Sequence, residues 1–156
     1  AFSACGCFEG RKTVNDKNMN KKIVLISCVS QKQSRKSRVR NLYISTLFKL
    51  NLKYAEKLEP DEIYVLSAKH GLLSLNEEIS PYNQTLNEMS AAEIKSWSEE
   101  VLRQINHVSD IRNTKYIFLA GDKYRKYLLP HIKDYELPLK GLRIGEQLKK
   151  LKELTS

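Results

Sequence analysis

Three side chains with catalytic chemistry directly follow segments that have the pattern of a β-strand. They are Cys28, His70 and Asp122. A cysteine is nucleophilic when a nearby cation favours its thiolate, a histidine exchanges protons near neutral pH, and a carboxylate can activate water. These three are therefore the candidate catalytic residues. Each has a structural alternative, which is core packing for Cys28, a capping or surface position for His70 and helix capping for Asp122.

A second set of side chains near the same positions can bind anions. Lysine binds phosphate as a point charge and arginine as a fork, and hydroxyl groups assist. The candidates for phosphate or nucleic-acid binding are Ser27, Ser30, Lys32, Arg35, Lys36 and Lys69. Tyr82 and Tyr124 are candidates for stacking on a base. Tyrosines near sheet ends also pack at the rim of a core with the hydroxyl group in water.

The positive charge of the chain is concentrated in residues 21–40, which we call the basic segment. The net charge is +9, and the basic segment supplies seven cationic side chains and no carboxylate. Residues 41–156 are nearly neutral in net charge, with 17 basic and 16 acidic side chains. This local excess predicts salt-dependent binding of DNA, RNA or a nucleotide. The alternative is a solvated loop that only aids solubility.

Strands and helices alternate along the part of the chain that must position these residues. Continuous apolar runs predict strands at about 22–28, 62–67 and 116–120, and helical spacing predicts helices at about 42–58, 90–105 and 144–154. Ser90 and Glu93 have the spacing of a capping box. We expect Asp122 to cap a short helix that Pro130 interrupts.

This alternation predicts an α/β fold, a single three-layer domain with a small, mainly parallel sheet flanked by helices. The three predicted strands would deliver their carboxyl ends to one edge, where ligands bind in open α/β sheets. Residues 1–18 lack periodicity and precede Met19. We therefore expect them to be a disordered extension outside a domain of residues 19–156.

Cysteine content and hydropathy narrow the class of protein. Three cysteines do not make a disulfide framework, which favours a reducing, cytoplasmic location. Cys5 and Cys7 lack a second ligand pair, so we expect no metal. No apolar run approaches the ~20 residues that span a bilayer, so we expect no membrane contact. The dinucleotide fingerprint and the P-loop are missing, so we expect no cofactor.

Five short segments together resemble DUF6884, a domain family of unknown function. The resemblance covers nearly all of residues 20–152 and is carried by residues 26–32, 42–48, 66–73 with Pro81-Tyr82, 120–124 and 138–148. The segment 66–73 with Pro81-Tyr82 is also similar to the YaaA peroxide-stress family, although His70 stands where that motif often has an aromatic residue. The second resemblance implies DNA binding and a fold distantly like that of DNA glycosylases.

These observations leave three functions open. The first is a nucleic-acid- or nucleotide-associated protein, with hydrolysis of an N-glycosidic bond as the reaction if it is an enzyme. The second is a non-catalytic DNA-binding protein associated with stress or with phages. The third is a small-molecule enzyme in which the basic segment clamps a mononucleotide. The sequence does not decide whether the protein is an enzyme.

Overall fold

The computed structural model describes residues 21–156. The expectations for residues 1–18, for Met19 as a start and for Cys5 and Cys7 lie outside these residues. In this described part of the chain, seven strands form two sheets: β1 (Lys21–Ser27), β2 (Ser37–Arg38), β3 (Glu62–Ser67), β4 (Gly71–Ser74), β5 (Glu78–Ile79), β6 (Thr114–Leu119) and β7 (Asp134–Glu136). The main sheet has the order β4-β3-β1-β6-β7, and β2 pairs with β5 in a small second sheet.

Within residues 21–156, five α-helices connect and cover these strands. They are α1 (Val39–Leu42), α2 (Thr46–Lys57), α3 (Ala91–Val108), α4 (Asp122–Arg125) and α5 (Ile144–Thr155), and short 3-10 helices lie at Leu86–Glu88 and Leu129–His131. The predicted capping box is confirmed, because Ser90 and Glu93 bind each other's backbone N–H groups at the start of α3. The expectation that Asp122 caps α4 is wrong. Gly121 is the N-cap residue, and α4 has no side-chain cap.

The parallel core of the sheet confirms the predicted fold class. β1 pairs in parallel with both β3 and β6, and β7 pairs in parallel with β6. The connection from β1 to β3 and the connection from β3 to β6 cross the sheet in opposite directions. Because such crossovers are right-handed, α2 and α3 cover opposite faces. Helix α5 packs against α2, which completes one of the two helical layers.

Strand β4 was not predicted, because the sequence after β3 indicates only a turn. Gly71 starts β4 with a φ of 74°, and β4 runs antiparallel to β3. A Cβ atom at Gly71 would overlap the side chain of Gln104, whose Oε1 accepts the N–H group of Leu72 at 2.8 Å. Position 71 therefore needs glycine for both its conformation and its packing.

The core is built on the strands that the apolar runs predicted. Residues 23–26 of β1 are almost fully buried, and so are residues 116–119 of β6. The strands are buried on both faces because helices cover the sheet on both sides. In the described part of the chain, no helix combines the length and apolar character needed to cross a membrane.

Candidate functional site

A cleft of about 630 Å³ lies beside α1 and α2, and we call it the basic cleft. Five cationic side chains line it: Arg35, Arg38, Arg40, Lys49 and Lys53. Glu56 is the one carboxylate in its lining, and it pairs with Arg40 at 3.8 Å. The other four cations form no ion pair or side-chain hydrogen bond with residues 21–156. With respect to residues 21–156, the cleft therefore holds four cationic groups that are available to an anionic ligand.

Two short chain segments, residues 31–33 and 42–44, form the wall between the basic cleft and the edge of the sheet. The N–H group of Gln33 donates to the carbonyl of Leu42 at 2.8 Å, and that of Ile44 donates to the carbonyl of Gln31 at 3.0 Å. Lys32 and Tyr43 therefore face each other in an antiparallel bridge. Gln33, Tyr43 and Ile44 line the cleft, whereas Lys32 contacts aromatic side chains at the sheet edge.

Behind this wall lies a buried group of hydroxyls, which we call the polar cluster. The hydroxyl of Tyr82 is 2.6 Å from the hydroxyl of Tyr43 and accepts a hydrogen bond from Ser67 at 2.7 Å. Ser67 Oγ in turn accepts the backbone N–H groups of Lys69 at 3.2 Å and His70 at 3.0 Å. The Ser67 hydroxyl therefore fixes the turn after β3, and Tyr82 links that turn to the wall of the basic cleft.

The Lys32 ammonium group lies over two aromatic rings of the polar cluster. Its Nζ atom is 4.4 Å from the centre of the Tyr82 ring and 5.6 Å from the centre of the Tyr43 ring. Both distances lie within the range of a cation–π contact. Lys32 is thus held at the rim of the polar cluster and does not line the basic cleft.

Cys28 occupies the point where the connections of the sheet diverge. The chain leaves β1 towards β3 and leaves β6 towards β7, so a crevice forms between the carboxyl ends of β1 and β6. The sulfur of Cys28 and the hydroxyl of Tyr124 meet there at 3.3 Å. The Tyr124 ring packs edge-on against Trp97, whose Nε1–H donates to the carbonyl of Ser67 at 2.8 Å.

Burial shifts the pKa values of titratable groups in the polar cluster and beside it. It raises the pKa of Tyr43, Tyr82 and Tyr124, so that these hydroxyls are neutral at physiological pH. Burial lowers the pKa of Lys32, an effect that the nearby Cys28 sulfur opposes. Burial and the charge of Lys69 also lower the pKa of His70. The polar cluster therefore offers neutral hydroxyls and one cation.

The three candidate catalytic residues differ in burial and in the side chains that they contact. Cys28 is buried, while His70 is half-buried and contacts the Tyr82 ring edge-on at 5.5 Å. Asp122 is exposed in the first turn of α4 and makes no side-chain hydrogen bond to residues 21–156. The hydroxyl groups of the polar cluster bond to no carboxylate within the described residues. Within residues 21–156, no hydrogen bond therefore joins Cys28 or Tyr124 to a carboxylate that would orient water.

The candidate phosphate-binding residues also divide between regions. Arg35 lines the basic cleft, whereas Lys36, Ser30 and Lys69 are exposed outside its lining and Ser27 is half-buried at the end of β1. The two candidate stacking residues, Tyr82 and Tyr124, are buried, so a base would reach their rings only if neighbouring side chains moved. Their roles in binding stay predictions.

Sequence reasoning missed Tyr43, Trp97 and the contribution of α2 to the basic cleft. Lys49 and Lys53 stand four residues apart on one face of α2, directly after the basic segment. That spacing is visible in the sequence and could have linked the helix to the basic segment. Tyr43 carried no such signal, because Tyr82, whose hydroxyl group it contacts, lies 39 residues further along the chain.

Among residues 21–156, no group of three or more His, Cys, Asp or Glu side chains could hold a metal ion. The fold and the site thus define a small α/β protein with a cationic cleft beside the carboxyl edge of its sheet.

The chain belongs to DUF6884, a family of unknown function, whose model matches residues 23–153. This match confirms the resemblance found in the sequence. Comparisons with curated proteins and with solved structures gave no match. The similarity to the YaaA peroxide-stress family therefore stays a prediction.

Proposed function

We propose that this protein binds nucleic acid through the basic cleft. One observation carries the proposal: four of the five cations that line the cleft have no acidic partner among residues 21–156. Phosphate contacts of this kind supply most of the sequence-independent affinity of nucleic-acid-binding proteins. The segregation of charge along the chain supports the same function, because the basic segment supplies three of the five cations.

The experiment measures the affinity for fluorescently labelled DNA by anisotropy at 50 and 200 mM salt. If about four phosphates are neutralised, affinity should fall roughly 50- to 150-fold over this range. Binding that does not change with salt would contradict the proposal. A mononucleotide that binds as tightly as DNA would instead favour a small-molecule nucleotide enzyme.

A matched pair of double variants locates the binding. Arg35→Ala with Arg38→Ala removes two charges from the basic cleft, and the salt dependence of log affinity should become less steep by about 2. Arg112→Ala with Lys133→Ala removes the same charge from a different cleft, at the amino end of the sheet. Equal losses of affinity in the two variants would show that only net charge matters. That result would contradict the assignment of nucleic-acid binding to the basic cleft.

A second function, hydrolysis of an N-glycosidic bond, has one observation in its favour. Cys28 and Tyr124 meet at the divergence point of the sheet, where α/β proteins bind ligands. The lack of a carboxylate hydrogen-bonded to this pair among residues 21–156 argues against it, because such hydrolysis needs a group that orients water. Chromatography of DNA and nucleosides after incubation with the protein tests this function. Release of free base that Cys28→Ser or Asp122→Asn abolishes would establish it, and no release would exclude it for those substrates.

A further inference from the structure

The lining of the basic cleft combines cationic groups with an apolar wall and a free amide. Ile44 is 44% exposed, which is unusual for a large aliphatic side chain, and it lines the cleft together with Leu52. Asn41 also lines the cleft, and its side-chain amide makes no hydrogen bond to residues 21–156. A ligand with phosphate alone would leave the apolar wall and the amide unused.

We infer that the basic cleft takes single-stranded nucleic acid, with phosphates on its cations and a base against Ile44. This inference rests on the proposed function and names its substrate class. An unpaired base has a free apolar face for Ile44 and Leu52 and a free polar edge for Asn41. In a duplex, neighbouring bases cover the faces and the edges are reached only within the grooves.

The shape of the cleft supports the same choice. Its volume of about 630 Å³ lies in the range of sites that enclose small ligands, roughly 300–1,000 Å³. Proteins that recognise duplex DNA instead insert a protruding helix or β-ribbon into a groove of the duplex. A flexible single strand can enter a concave cleft and bring its phosphates near the cations, whereas a stiff duplex reaches only the rim.

The test compares a labelled 12-nucleotide single strand with the duplex of the same sequence at one salt concentration, by anisotropy. We expect the single strand to bind roughly tenfold more tightly, because it adds a base contact to the phosphate contacts. Equal affinity, or tighter binding of the duplex, would overturn the inference while leaving the proposed function intact. No binding of either probe at 50 mM salt would overturn both.

Two exposed isoleucines provide the matched variants. Ile44→Ala should weaken single-strand binding about threefold or more and leave duplex binding unchanged, since only the single strand places a base on this side chain. Ile144→Ala, at a 65% exposed position outside the cleft, should change neither affinity. If Ile44→Ala binds the single strand as the wild-type protein does, the base contact is wrong. Thermal unfolding of both variants checks that they are folded.

Discussion

Two clefts of this protein share the same volume, about 630 Å³, and the same sign of charge, yet their cations differ in their partners. In the basic cleft, only Arg40 of the five cations has an ion-pair partner among the described residues. The other cleft, which we call the amino-edge cleft, lies at the amino ends of β1 and β6. It contains Lys21, Lys22, Lys115, Arg112 and Lys133, together with Asp134.

Three of the five cations in the amino-edge cleft stabilise the fold itself. Lys21 donates to the carbonyl of Val108 at 3.0 Å, and Lys22 donates to the carbonyl of Leu58 at 2.9 Å. Lys115 forms an ion pair with Glu136. The comparison teaches that a count of positive charges does not define an anion-binding site. What distinguishes the basic cleft is that four of its five cations are bound to no carbonyl or carboxylate of residues 21–156.

The largest expected effect tests whether the polar cluster supports the wall of the basic cleft, a role that it does not have in the amino-edge cleft. Tyr82→Phe removes the hydroxyl that links Ser67 to Tyr43 and leaves two buried polar groups without this partner. We expect a loss of about 1–3 kcal/mol in the free energy of unfolding, measured with urea. Tyr135→Phe, at an exposed ring without a hydrogen bond to the described residues, is the control. Equal stability of the two variants would contradict the role of the cluster.

A smaller effect tests the contrast between the clefts directly. Lys21→Met removes the hydrogen bond to Val108 at the end of α3 and should lower the free energy of unfolding by about 1–2 kcal/mol. Arg38→Met, in the basic cleft, removes a charge without a partner among residues 21–156 and should change it by less than about 0.5 kcal/mol. Urea unfolding of both variants at low salt measures the difference. A greater loss of unfolding free energy in Arg38→Met than in Lys21→Met would contradict the contrast between the two clefts.

The smallest effect is a dependence of stability on pH. It arises from His70, which packs against the polar cluster and lines neither cleft. The pKa of His70 is lowered by burial and by Lys69, so the unfolded chain binds more protons than the folded chain below about pH 6.5. Stability should therefore fall as the pH decreases from 7 towards 5. Because His70 is partly exposed, this contribution should be below about 0.5 kcal/mol.

Thermal unfolding between pH 5 and 7.5 measures this dependence on pH. His70→Gln should lose part of the acid destabilisation, while His107→Gln, on the exposed side of α3, serves as the control. If His70→Gln destabilises on acidification as much as the wild-type protein, another group is responsible.

Particular residues show how far the sequence predicted this structure. The strand at 62–67 matches β3 in full, and the capping box at Ser90 is confirmed, because apolar runs and cap spacing are local signals. The assignment of Asp122 as a cap failed, since Gly121 can take the same N-cap conformation without a side chain. Strand β4 was missed because its pairing with β3 depends on Gly71 and on the distant Gln104.

The sequence by itself determined the parallel strands, the shared edge of their carboxyl ends and the segment that carries the excess charge. These follow from apolar runs and from local composition, which depend on neighbours in the chain. The tertiary structure alone decided that Lys32 lies over tyrosine rings while Arg35 and Arg38 join Lys49 and Lys53 in a cleft. The physical reason is that a charged side chain is placed by packing partners far along the chain, and its own position in the sequence does not specify them.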